Sequence, residues 1–490
     1  MKHKFQNPVK EKLGFTKFVP MKSNNQINMK YLTILLLLVF VITGCNTSDR
    51  GNLVGVQNRG DWYQQDPYGM LFIPGGSYVM GQGDQDVPYN QLQISKTVTV
   101  TSFYMDETEI TNNEYRQFVY WVRDSIARQL LGEQDEEFLI TEDRYGESID
   151  PPYLNWKTKF RWDSDDETVR EALSEMYLPE HERFYRRKEI DARKLNFQYY
   201  WIDFKAAARK DYRNPLTDAQ VKNNEDPAMH RNRPQGYNDR SVFIKNDIIN
   251  VYPDTLCWVF DFTYAFNEPL TQNYFSHVAY DNYPVVGVNW KQARAFSIWR
   301  TEYLNNYLRG IGQSIVNDFR LPTESEWEWA ARGGLDLSMY PWGGYYTSNS
   351  NGCFLGNFKP QRGNYPIDGG FHTIIVGHYA PNDYGLYDMA GNVSEWTSNA
   401  FDESAYQFAH DLNMDYTYEA KDTDPEVLKR KVIRGGSWKD VSFFMQVSSR
   451  WFEYQDTGKS YIGFRNVQSY LGRMKGDGPN SSKNIPVLSF

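Results

Sequence analysis

Cysteine is scarce in this sequence: Cys45, Cys257 and Cys353 are the three in a chain of 490 residues. So few exclude a disulfide-stapled scaffold; Cys257 and Cys353 could pair in an oxidising compartment, but residues so far apart in sequence do not by themselves predict a bridge. Histidine is sparse too, with seven residues and no pair at the ligand spacing of three or four; His372 and His378 stand six apart. Positive charge does not dominate: Lys and Arg number 53 against 62 Asp and Glu, a net charge of −9. That balance removes the basic field that nucleic-acid phosphates require. Long apolar runs are missing with a single exception, and the mean hydropathy of −0.67 excludes a multi-spanning membrane protein. No phosphate-binding or dinucleotide-binding loop is found, and Gly435-Gly436-Ser437 lacks the following x-Gly of a nucleophile elbow. Asp163-Ser-Asp-Asp-Glu-Thr lacks the glycine of a calcium loop at its sixth place and reads as a solvated helix start.

What is abundant is aromatic surface, 16% of residues, together with 35 Gly and 22 Pro. That pairing predicts a domain with long, ordered, aromatic-pinned loops rather than a helical bundle. The one apolar run, Tyr31 to Cys45, has the length of a signal-peptide core and is too short for a stable membrane span. It closes on Ile42-Thr43-Gly44-Cys45, which looks like a bacterial lipobox, with Cys45 as the lipidated residue. More than one acyl chain on that residue gives stable anchoring. Met21 and Met29 both precede the run with a lysine beside them, so translation is expected to start at one of them. Residues 1–44 are therefore read as signal peptide and 45–66 as lipidated cysteine and polar tether.

Beyond the tether, Met70–Gly81 reads as a strand broken at Pro74-Gly75-Gly76, and Lys96–Thr101 as a second strand. Thr111 and Glu114 form a capping box that opens a helix with Tyr115, Phe118, Val119 and Val122 on one stripe. From 124 to 280 charge runs such as Glu182–Lys194 alternate with aromatics, a texture of solvated faces that breaks the domain. A second helix follows Asn289 as N-cap, with Ala293, Phe296, Tyr303, Leu304, Tyr307 and Leu308 expected on its inner face. A third begins at the capping box Thr323–Glu326 and stops at Gly333-Gly334. Residues 340–400 read as ordered loop and 469–490 as a flexible tail.

Several segments resemble the sulfatase-modifying factor, or formylglycine-generating enzyme, family. They are Ile73–Gly81, Glu109–Tyr115, Pro284–Trp290, Arg320–Gly334, Tyr340–Gly343, Tyr384–Trp396, Arg434–Trp438 and Ile462–Arg465, in the family's order. The resemblance implies an α+β, C-type-lectin-like fold with little regular secondary structure, carried by 67–123 and 281–468, with 124–280 as a large insertion. Family enzymes oxidise a substrate cysteine with two of their own, five apart, just after Gly-Gly-Ser. Asp440 and Met445 stand at those two places here, and neither can act as a thiolate or bind copper(I) as a cysteine pair would. An enzyme of the family type is therefore not expected, and no redox metal is implied. The resemblance does imply structural Ca²⁺. One ligand set would be the Asp388 and Glu395 side chains with the Gly391 and Val393 carbonyls. The other would be Asn357, the Phe358 carbonyl, Asp368 and the Phe371 carbonyl. The alternative reading is that Asp388 and Glu395 cap turns and Asn357 makes an Asx-turn.

A lipobox, a family domain without its cysteines and a large insertion together resemble gliding-motility and type IX secretion lipoproteins of the GldK (PorK) kind. The segment Asp61–Pro74 is particularly similar, and the sister GldJ lipoproteins share the domain. The resemblance implies an outer-membrane lipoprotein facing the periplasm, self-associating in a ring with a periplasmic partner of the GldN/PorN type and other secretion components. The alternative is a surface module that holds a glycan or peptide in the old catalytic cleft, near Asp440, Trp438 and Arg450.

Overall fold

The computed structural model describes residues 64–82, 95–143, 145–208, 243–265, 267–360, 366 and 368–472, all within one unit. Cys45, the apolar run before it, both candidate start methionines, most of the tether and the tail beyond 472 lie outside the described residues.

The chain opens with β1 (Met70–Ile73), β2 (Gly76–Met80), β3 (Lys96–Val100) and β4 (Phe103–Asp106). Pro74-Gly75 separates the first two strands as expected. A Cβ on Gly75 would sit 2.8 Å from the Ser102 nitrogen, so only glycine lets the two segments pass this closely. Helix α1 (Asn112–Gly132) carries the reciprocal Thr111–Glu114 capping box, and Tyr115, Phe118, Val119 and Val122 are all buried. It runs on to Gly132, where Leu139 packs against the bare Cα.

Two hairpins follow, β5 (Leu139–Glu142) with β6 (Ser148–Leu154), and β7 (Asn196–Ile202) with β8 (Ile244–Asn250). Between them lies the short helix α2 (Glu167–Ser174), capped by Asp166 inside the acidic segment read as a helix start. The run Glu182–Lys194 forms exposed turns rather than a helix face; Arg193 pairs with Asp191 and Glu182.

Helix α3 (Trp290–Gly310) starts at Asn289 with a second reciprocal box to Gln292. Ala293, Phe296 and Leu308 are buried as expected, but Tyr303 and Tyr307 are exposed. Asn305 faces inward instead, because its amide group bonds both the N–H and the C=O of Val316 as the following loop folds back. After β9 (Phe319–Arg320), helix α4 (Glu324–Arg332) has its predicted capping box and ends on Gly333 in the left-handed conformation, φ 60°. The described residues of 340–393 are loop, as expected, but the last seven of the expected loop form a strand, β10 (Ser394–Ala400). It is followed by β11 (Arg430–Arg434), β12 (Trp451–Tyr454), β13 (Ile462–Gly463) and β14 (Val467–Ser469).

Helices thus combine with strands paired antiparallel in all but the β10–β13 contact, a mixed content consistent with an α+β fold. One sheet has the order β1-β4-β14-β9 and the other β12-β11-β10-β13. The largest core joins α1 and α3 to Trp396, Ile433 and Ile462 of the second sheet and to Phe464 just after β13. Leu173, Met176, Leu195, Phe197, Tyr199, Ile249 and Val251 from the 124–280 segment belong to the same core. Among the described residues no helix is long and apolar enough to cross a membrane.

Candidate functional site

Strand β11 delivers Arg434 to a glycine turn, Gly435 (φ 92°) and Gly436 (φ 67°). A Cβ on Gly436 would sit 2.8 Å from the Phe444 carbonyl group, so this turn packs directly on the backbone preceding Met445. The resulting cleft encloses 380 Å³ and is lined by Arg434, Lys439, Asp440, Phe444, Trp451 and Tyr461, among others. Asp440 accepts a hydrogen bond from the Ser437 hydroxyl at 2.6 Å, and burial raises its carboxyl above the ordinary range. Met445 is fully buried among Tyr340, Phe358 and Ala390 and does not line the cleft. Asp440 therefore puts a carboxyl at the cleft wall and Met445 a thioether behind it. Neither supplies a redox couple.

Trp438 and Arg450 are not open to the cleft. Trp438 stacks on Trp258 (5.9 Å, 17°) and meets His372 edge-on, while its indole N–H donates to the Ser460 carbonyl. Arg450 is buried against Glu324, 2.7 Å away, and Phe401. The 124–280 segment supplies Trp258 and also Asp261, which pairs with Lys439 and accepts from the Ser460 hydroxyl. Cys257 beside it is buried and Cys353 is exposed; both are free thiols. Desolvation holds the Cys257 thiol well above its ordinary range, so it is an unreactive core residue.

Behind the cleft lies a buried charge network. Arg434 donates to Glu328 and to the Ser448 and Ser449 carbonyls, while Glu328 also holds Arg332 at 2.6 Å. The pairing of Glu328 with Arg332 is local, but Arg434 lies 106 residues from Glu328 and carries no local signal.

The first set of calcium candidates does not form an open cradle. Both Glu395 oxygens are engaged: Arg465 forks onto them at 2.6–2.9 Å and the Trp327 indole N–H donates at 2.8 Å. Asp388 accepts the Gly377 N–H at 2.6 Å, and the Val393 N–H points to Glu109. Arg465 supplies the cation here. It faces Glu109, Asp388 and Glu395 together, and desolvation raises Asp388 to about 6. Gly391 remains essential to the turn, since its φ is 87° and a Cβ would lie 2.5 Å from the Asn357 carbonyl oxygen.

In the second set Asp368 accepts the Phe354 N–H at 2.9 Å and Asn357 donates to the His372 carbonyl at 2.7 Å. Phe358 is buried and the Phe371 ring is exposed. Among the described residues no three His, Cys, Asp or Glu side chains converge on one point.

With this geometry in view, the likeness to known proteins can be placed. The chain is 35% identical over 202 residues to the inactive C-alpha-formylglycine-generating enzyme 2 of Bos taurus, covering 40% of this chain and 53% of that one. It is 33% identical over 193 residues to the formylglycine-generating enzyme of Thermomonospora curvata, covering 38% and 55%. It thus spans about half the length of these relatives. The serine/threonine-protein kinase pkn1 of Chlamydia pneumoniae is 32% identical over 192 residues, 24% of that protein. Among solved structures, PvdO from Pseudomonas aeruginosa aligns with a TM-score of 0.42 at 15% identity, over 82% of this chain and 94% of that one. Residues 60–470 match the Sulfatase-modifying factor enzyme 1-like domain, and by that match the chain belongs to the sulfatase-modifying factor family.

Proposed function

We propose that this protein is a non-catalytic member of its family that works as an assembly scaffold. In this reading it is anchored through Cys45 in the outer membrane, faces the periplasm, and builds a ring with a GldN/PorN-type partner for type IX secretion and gliding. The observation that carries the non-catalytic part is the pair of positions after Gly435-Gly436-Ser437. Asp440 and Met445 cannot cycle between thiol and disulfide or hold copper(I), and the two free cysteines lie elsewhere. A relative named as inactive lends support, since the family has members without the activity.

The scaffold reading itself rests on the sequence: the lipobox, the segment Asp61–Pro74 and the inserted 124–280. The exposed aromatics Tyr153, Phe184, Tyr185, Tyr200 and Phe204 of that insertion suit a protein interface, where aromatic side chains are enriched. A head-to-tail contact that closes would generate the ring.

Three measurements test the proposal. Purified protein loaded with copper is expected to form no aldehyde on a cysteine-containing peptide, and aldehyde formation would end the non-catalytic reading. Detergent-solubilised envelope is expected to yield a high-mass complex that contains the protein, and Cys45→Ala is expected to lose acyl labelling. Elution as a free monomer that binds glycan would instead favour a lectin-like module using the cleft beside Asp440.

A further inference from the structure

A second cavity of 480 Å³ lies away from the cleft, between the end of β7, helix α3 and the loop before β11. Its walls are largely apolar, with Trp201, Phe204, Trp290, Ile298 and Phe319 among the lining residues. Volume and lining are those of a small-molecule site. At its floor is Lys431, whose side chain is 1% exposed. The ammonium lies 3.8 Å from the Trp290 ring centroid and donates to the Tyr418 carbonyl at 2.6 Å.

Among the described residues no carboxylate comes within ion-pair distance of Lys431. The acids nearest in effect are Glu419 and Asp456. Glu419 is held by Arg294 at 2.9 Å, and Asp456 by Lys291 at 2.8 Å. The Arg294 guanidinium in turn lies 4.1 Å over Trp201, so the wall itself is braced by a cation–ring contact. Lys431 is thus the lining cation without an ion pair: Arg294 is answered by Glu419 and Arg320 by Glu326. An uncompensated buried charge is costly unless something pairs with it. Burial accordingly lowers the Lys431 amine to about 7.

We propose that this cavity binds a small monoanion with a flat or aliphatic apolar body, its anionic head on Lys431 and its body between Trp201, Trp290 and Ile298. Two further acids, Glu302 and Asp318, line the same cavity and repel one another. Glu302 lies twelve residues beyond Trp290 on α3, roughly 18 Å along the helix, so the acids leave the Lys431 end to a single anionic head and disfavour a more highly charged ligand such as a phosphate ester. The site is separate from the cleft at Asp440, with which it shares no lining residue. It stands whether or not the scaffold reading holds.

The test is titration calorimetry on the full chain with 2-naphthoate, and with 2-naphthamide as the neutral isostere. Naphthoate is expected to bind at least tenfold more tightly than the amide. Lys431→Met is expected to remove that preference while leaving amide binding within twofold. The variant should keep its fold, because methionine keeps the buried apolar stem and the ammonium removed has no ion-pair partner; its melting curve checks this. Ile298→Trp, which fills the chamber and keeps every charge, is expected to abolish binding of both probes. Naphthoate binding that survives either substitution, or no preference for naphthoate over the amide in the unsubstituted protein, would overturn the proposal.

Discussion

Arg434 has no exposed side-chain surface, and two carboxylates, Glu328 and Glu324, answer its charge. Breaking such a pair leaves a buried charge without compensation, which costs about 3–5 kcal/mol. Arg434→Met should therefore lower the denaturation midpoint steeply, and a loss below 1 kcal/mol would show that the network is not buried as described. Glu395 gives a sharper discrimination. Because Arg465 and Trp327 use both its oxygens, Glu395→Gln should destabilise equally in calcium and in chelator. A loss seen in calcium alone would instead establish metal ligation. Asp388 sets a pH dependence. Its folded carboxyl titrates near 6 rather than the ordinary value near 4, so the native state holds the proton more tightly than the unfolded chain. Its contribution is thus fully present below about pH 4 and is lost as pH rises to about 6. Asp388→Asn should gain stability relative to the parent at pH 7.5 but not at pH 3.5, by on the order of 2 kcal/mol, in paired thermal melts.

At the scale of elements, the helices begin where short-range chemistry says they must. Thr111, Asn289 and Thr323 each accept from the backbone N–H three residues on, and the third residue's side chain returns the bond. Thr323→Ala should cost about 1 kcal/mol in chemical denaturation. Glu326→Ala should cost more, because Glu326 also pairs with Arg320 at 2.6 Å and desolvation leaves a strong demand for that partner. These boxes were legible because both partners lie within one turn. The inner face of α3 was only half legible. Periodicity places Tyr303 and Tyr307 with Phe296, yet they are exposed, because the loop to Val316 docks on Asn305 and turns that side inward.

For the whole molecule, the 124–280 segment is part of the packing rather than a bead on it. Phe197 meets Phe118 edge-on at 5.3 Å, and Trp258 stacks on Trp438 at the back of the cleft. Calorimetry should therefore record one unfolding transition, in keeping with the shared core. Two resolved transitions, the lower abolished by deleting residues of the segment, would refute that coupling.

Local rules sufficed for the β1–β2 break, the three capping boxes and the Gly333 stop. Each is a statement about residues within a few positions, where spacing alone dictates geometry. Distant pairings had no such signal. Glu328 with Arg434, Glu395 with Arg465, Trp258 with Trp438 and the unpaired Lys431 beneath Trp290 join residues 70–180 positions apart or depend on what fails to arrive. Only the folded chain decides which charge is answered at long range, since burial and dielectric are properties of the packed interior and not of the string.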